Sequence, residues 1–573
     1  MATLLLSAAG AALGAGFGGT ILGLSGAVIG RAIGATAGRL IDQRILGGGS
    51  EAVEVGRIDR LRLMGAGEGQ PIAKTWGRVR LAGHVIWASQ FEEHSETRRG
   101  GKGGGGQSVT QYSYTVSLAI GLCEGEILKV GRIWADGSEI APGSLALRVY
   151  HGREDQLPDP KIEAVEGAGT VPGFRGLAYV VIEDLDLTPY GNRVPQFSFE
   201  VVRNAQGPGV APERVLSDVI HAVAMIPGTG EYSLATTPVH LSYGPGENVA
   251  VNSNAPSGLT DFSTSLNQLG DELPGCGSVS LVVSWFGSDL RCGDCKIQPK
   301  VEQSAFDGVG MSWRAGGITR SQAAHVAQRD GSPVYGGTPA DAAVIEAIRA
   351  IRARGQEVMF YPFILMEQQS DNGLPDPWSG AADQPVMPWR GRITGSVAPG
   401  RAGTSDRTAL ADAEVAAFFG SANPADFTPA ADHVLYTGPQ EWRYRRFILH
   451  YAHLCAQAGG VEAFCIGSEM RSLTQLRNAE DAFPAVAQLI RLAGEVRAIL
   501  GPDTKISYAA DWTEYGSYAV GDNLYFPLDD LWAHEAVDFI GIDNSVSLTC
   551  PRFTQPNHGV YPIVTMTKSS NHA

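Results

Sequence analysis

Several residue groupings in this 573-residue chain raise a chemical question by type and spacing. Cys292-Gly293-Asp294-Cys295 is a CxxC, with Cys276 upstream. A structural metal site wants a second pair of ligands, and none follows. A redox CxxC opens a helix after a strand, which is not the setting here. The pattern therefore reads as a local disulfide or two free thiols. The 12 histidines contain no HExxH or comparable spacing. Neither a Ser–His–Asp motif nor a dinucleotide fingerprint is present, so no metal and no cofactor are expected. Thr97-Arg98-Arg99-Gly100-Gly101-Lys102-Gly103-Gly104-Gly105-Gly106 has the glycines of a phosphate loop. It lacks the Gly-Lys-Ser/Thr ending and the strand–loop–helix setting, and reads as a hairpin tip. What remains is a set of carboxylates closing short apolar runs: Glu469, after Phe464-Cys465-Ile466-Gly467-Ser468, then Asp511 and Asp543. By type alone, such a glutamate is a helix N-terminal charge or an ion-pair partner. Aspartates at strand ends often cap loops.

The elements that would carry these acids follow a strand–helix alternation from about residue 278, the signature of βα units and a parallel sheet. Ser280 to Phe286 is a buried-strand run. Thr338-Pro339-Ala340-Asp341 reads as a capping box opening a helix with Val344, Ile348 and Ile351 on one face and Gly355 as its stop. Glu357 to Leu365 is the next strand, with Pro362 expected at a bulge or exit. Residues 440–458 read as a helix, 461–467 as a strand, 484–500 as a helix, and 505–510 and 536–542 as strands. The segment 366–438 has little periodicity and reads as an insertion or lid.

Residues 49–250 read instead as β-rich, with alternation in Val79 to Trp87, Tyr112 to Leu122 and Leu128 to Trp134, and a tight turn at Asp136-Gly137. Residues 1–48 carry no charged side chain before Arg31. Glycine recurs every fourth residue at Gly10, Gly14, Gly18 and again at Gly26, Gly30, Gly34, Gly38, giving one flat helical stripe. The readings are a membrane-inserting helix or helix pair, a segment buried in an assembly, or a Gly/Ala tail. No basic residue precedes the apolar run, so it is a poor signal peptide. The composition, 44% hydrophobic and 18% charged, excludes global disorder and a multi-span membrane protein. A formal charge of −16 argues against general nucleic-acid binding.

Longer motifs add a resemblance. Gly69-Gln70-Pro71-Ile72, the run Tyr112 to Gly125, and Gly131-Arg132-Ile133-Trp134-Ala135-Asp136-Gly137 resemble the hub region of siphophage tail-tip proteins. His151-Gly152-Arg153-Glu154-Asp155-Gln156, Phe174 to Tyr179 and Gly191-Asn192-Arg193-Val194-Pro195 continue it. The chain is similar in particular to the large tail-tip protein of gene transfer agents, phage-like particles that package host DNA, over about residues 1–544. The resemblance implies a multidomain α+β chain: a β-rich tail-hub domain (49–250), then an incomplete (β/α) TIM-type barrel related to glycoside hydrolases (278–544). It implies a ring of copies with other tail-tip subunits, assembly in the cytoplasm and action at a recipient envelope. Envelope polysaccharide, and a membrane through residues 1–48, are the further partners. The family's acid/base glutamate, at the end of the fourth barrel strand, falls on Glu469. Trp285, Asp289, Arg291, Tyr335, Tyr361, Trp512 and Asn544 take equivalent strand-end or sugar-stacking places, as does Trp389. The family's second carboxylate sits on a seventh strand, and the strand ending at Ile542 counts as about the sixth. Asp511 or Asp543 is then the substitute. The tail 545–573 has no Asp or Glu and does not continue the resemblance. A glycosidase acting through Glu469 and a truncated, non-functional fragment stand as alternatives.

Overall fold

The computed structural model describes residues 71–99, 108–204 and 216–544, together with the backbone of residues 20–21, 24–25, 53–55 and 566–567. The expectations for the apolar segment 1–48, the glycine-rich tip after Arg99 and the tail from Ser545 otherwise lie outside the described residues. Two compact units are present, residues 1–203 and 204–573.

The first unit is β-rich. Its long strand Ser108–Glu124 pairs antiparallel with Glu92–Arg99, His84–Ala88 and Leu177–Asp186, and the last of these pairs with Ala146–His151. In a second sheet Phe197–Arg203 lies between Gly77–Ala82 and Lys129–Ala135. The latter turns back through Asp136 and Gly137, both at positive φ (50° and 85°), into Ser138–Ile140. Two consecutive positive-φ residues match the twist of a tight hairpin. Val116, Leu118, Ile120 and Leu122 point one way, onto Ile133, Val180, Ile182 and Phe199. Ala119 points the other way, onto Ile162, Tyr179 and Val181. The alternation legible in the sequence thus feeds two apolar clusters, one on each face of the sheet.

The second unit is built on six parallel strands in chain order: strand one Ala222–Gly228, two Ser278–Gly287, three Glu357–Met366, four Ala463–Ser468, five Lys505–Asp511 and six Phe539–Asp543. Each pairs in parallel with the next. The helices Asp261–Glu272, Asp341–Ala353, Tyr444–Ala458, Pro484–Leu500 and Asp529–Ala533 fill the crossovers. A strand order that never reverses is that of a TIM barrel and not of a doubly wound sheet. With six such strands among the described residues, where the complete barrel has eight, the unit is an incomplete TIM-type barrel. Its two faces differ. Leu281, Phe360, Phe464, Ile506 and Tyr508 join the large core under the helices. Val282, Tyr361, Cys465 and Ala509 form a small inner cluster, with Met359 and Phe363 only half-buried beside it.

Four sequence expectations change. Strand one lies inside the stretch assigned to the β-rich region (49–250). Its side chains alternate between exposed and half-buried, so it imitates an antiparallel strand although its partner is parallel. The capping box at Thr338 does not form. The Thr338 hydroxyl donates to the Ser284 carbonyl (3.2 Å) and accepts from the Lys300 amide (3.1 Å), while buried Asp341 pairs with His450 (2.9 Å). Tertiary partners outbid the local cap. Pro362 makes no bulge with strand two, where the register runs unbroken. The Glu357 amide donates toward strand two and the Val358 amide toward Glu462. Even-numbered positions therefore face strand four, whose pairing stops at Phe360, so Pro362 forfeits no ladder bond. Finally, segment 366–438 holds a helix, Ala409–Phe419, and a hairpin, Phe427–Pro429 with Val434–Tyr436.

Of the two cysteine readings, the free-thiol one holds. Cys276, Cys292 and Cys295 are free and buried, and burial pushes the Cys295 thiol up to about 11. Among the described residues no cluster of His, Cys, Asp or Glu is arranged to hold a metal. No described helix is long and apolar enough to cross a membrane.

Candidate active site

Strand four delivers Glu469 one residue past its end. The Glu469 amide donates to the Ala509 carbonyl of strand five (2.8 Å), and the residue sits at φ +48°. A left-handed conformation costs a non-glycine residue about 1–2 kcal/mol, and such strain collects where a side chain must be aimed. Trp389 donates its indole N–H to Glu469 Oε2 (2.8 Å), and Arg390 Nη2 stands 3.0 Å from the same oxygen. Arg390 is buried. It also donates to the Ser468 carbonyl (3.1 Å) and hydroxyl (3.0 Å), and its guanidinium lies 3.6 Å from the centre of the Phe363 ring. The 366–438 insertion thus supplies the counter-ion that clamps the strand-four acid.

Strand six delivers Asp543. Tyr361, reaching across from strand three, donates its hydroxyl to the Asp543 carboxyl. Burial pushes Asp543 up to about 6, and the negative charge of Glu469 pushes the same way against the Tyr361 hydrogen bond and Arg390. Burial and Asp543 together hold the Tyr361 phenol far above its usual range. Asp511 is directly opposite Asp543 in the ladder between strands five and six. Its carboxylate accepts from the Thr513 amide (2.9 Å) and hydroxyl, so it caps its own turn. The Trp512 amide donates to the Asp543 carbonyl (3.0 Å), leaving its ring 60% exposed beside the acids. Asn544 follows, half-buried.

Glu469, Asp511, Asp543, Trp389, Trp512 and Asn544 therefore share the C-terminal ends of strands four to six and the insertion beside them, with Tyr361 reaching them from the middle of strand three. Other candidates do not join them. Trp285 is fully buried on the helix side and donates to the Tyr451 hydroxyl (2.9 Å); it is core, not a sugar platform. Asp289 and Arg291 pair with each other (2.7 Å), and Asp289 accepts from Gln384 (2.7 Å); together they brace the loop after strand two. Tyr335 packs beside Phe286, with ring centres 6.2 Å apart. Two residues escaped the sequence reading. Arg390 carried no signal apart from its neighbour Trp389. Glu514, buried behind Asp511 and pushed by burial up to about 7, had only its spacing from the strand end.

A carboxyl group pushed up to about 6, with the charge of a second, arginine-paired carboxyl group acting on it, is one of the features that acid–base cleavage of a glycosidic bond uses. The end of the barrel strands is also where barrel enzymes place chemistry.

Residues 442–562 match the family model of the GTA TIM-barrel-like domain. That stretch includes strands four to six, Glu469, Asp511 and Asp543. Among solved structures, a chain of the virion of a native gene transfer agent (GTA) particle is 56% identical, with 39% of this chain and 44% of that chain covered and a TM-score of 0.24. A GH113 β-1,4-mannanase complex is 16% identical over 49% of this chain and 55% of that one, at a TM-score of 0.24. The GH113 β-mannanase AaManA from Alicyclobacillus acidocaldarius, in complex with ManMIm, is 16% identical over 47% and 50%, at 0.22. This chain spans less than half the length of the particle protein it matches. No curated protein matches it.

Proposed function

We propose that this chain is a structural component of a gene-transfer-agent-type particle. In this reading its β-rich unit builds the tail-tip hub as a ring of copies, and its barrel unit faces a recipient's envelope polysaccharide. The family match over residues 442–562 carries the reading. The hub motifs between Gly69 and Pro195 support the tail-tip role of the first unit. Mass spectrometry of purified particles should find peptides from both units in fixed proportion to other tail proteins. Their absence from intact particles would remove the proposal.

A second reading is favoured by a specific observation: the Glu469–Arg390 pair after strand four and the Asp543–Tyr361 pair at the end of strand six. In it the barrel cleaves envelope glycan, with Glu469 and Asp543 as the pair of carboxyl groups that carries the acid–base chemistry. Removing a general acid–base group typically costs about 10²–10⁴-fold in rate. Glu469→Gln should lose sugar release on that scale while retaining the fold. Equal release by variant and wild type would exclude Glu469 from the chemistry.

A further inference from the structure

We propose that Glu514 is a positioning residue that locks the turn after strand five to the turn after strand four, and so holds Asp511 and Trp512 in register with Glu469. The proposal rests on the glycan-site reading of those strand ends.

The connection is built atom by atom. Glu514 Oε2 accepts from the Asp511 amide (3.1 Å), and the Glu514 amide donates back to the Asp511 carbonyl (2.7 Å). Glu514 Oε1 accepts from two hydroxyls, Thr474 (2.7 Å) and Tyr508 (2.9 Å). Thr474 ends the short helix Arg471–Thr474, which Met470 caps immediately after Glu469. The Tyr508 hydroxyl in turn accepts from the Met470 amide (2.7 Å). One carboxyl therefore reaches both turns, on the Met470–Thr474 side through two routes. Glu514, Thr474 and Tyr508 are all at most 2% exposed, so none of these bonds can be exchanged cheaply for water. Asp511 is the charged group that opposes Glu514, whose carboxyl is held by two hydroxyls and an amide rather than by an ion pair among the described residues. A buried acid without a cationic partner is costly. Its geometric return is the join between two turns that strand pairing alone leaves free, since strands four and five pair no further than Ser468 with Ala509.

The test uses the full chain and reads single amides by hydrogen exchange. Glu514→Ala should speed exchange at both Met470 and Asp511 by tenfold or more, with a smaller effect for Glu514→Gln, which keeps one acceptor oxygen. Acceleration at Asp511 alone, with Met470 as in wild type, would overturn the proposal. Purified recipient-envelope polysaccharide is the second probe. Glu514→Gln should raise KM at least fivefold while kcat stays within twofold, whereas Glu469→Gln should lower kcat with both amides still protected. Coupled amides with an unchanged KM would overturn the positioning role. A wild-type chain that neither binds nor cleaves the polysaccharide removes the glycan reading, and the paired amides still decide whether the brace exists. Should Glu514→Ala fail to fold, the Gln variant carries both measurements.

Discussion

Asp543, half-buried, and Glu514, buried, are acids whose partners do not fully offset the loss of water. For Asp543 the Tyr361 hydroxyl is the main stabiliser of the charged form. Tyr361→Phe should therefore move its titration above 6, which carboxyl-carbon NMR would detect; an unchanged or lower midpoint would mean that the hydroxyl points elsewhere. Glu514 gives a stability signature. Its folded value of about 7 exceeds the ordinary glutamate value of about 4.3, so the folded state holds a proton that the unfolded state has released. Its contribution is full below about pH 4.3 and is lost as pH rises through 7. Glu514→Gln should flatten unfolding free energy over that window by up to about 1.4 kcal/mol per pH unit. Denaturant titrations at several pH values check this; an unchanged slope would contradict it. Glu469 was legible because it follows a clear apolar run in a resembling motif. Arg390 was not, because it reaches the site through a tertiary contact from the insertion that no local spacing encodes.

Elements were read most accurately where one periodicity governs a long run. Helix Pro484–Leu500 and strands two to five emerged with ends shifted by at most two residues. The reading failed where neighbours in space decide. Strand one resembles the antiparallel strands before it, and Thr338 has tertiary partners that a capping pattern cannot anticipate. Trp285 shows the same limit. Its place in a strand was clear, but which face it takes depends on the helices, and it takes theirs, against Phe447, His450 and Tyr451. A fully buried tryptophan truncated to alanine typically costs about 3–5 kcal/mol. Trp285→Ala should lose that much in urea unfolding, whereas a sugar platform would lose ligand affinity with little change in stability.

For the whole molecule, two kinds of order follow each other along one chain: mainly antiparallel sheets up to Arg203, then a sheet of parallel strands in unbroken succession. In the sequence, the switch from period-two alternation to strand–helix repeats is the signal for such a division. The second unit carries acids, an arginine clamp and exposed aromatic rings at the strand ends, and the first unit carries the motifs on which the proposed hub role rests. The direct measurement is electron microscopy of purified particles labelled with gold-tagged antibody against residues 442–544. Gold confined to the distal end of the tail is predicted. Gold on the capsids, or only on material released from the particles, would contradict the account.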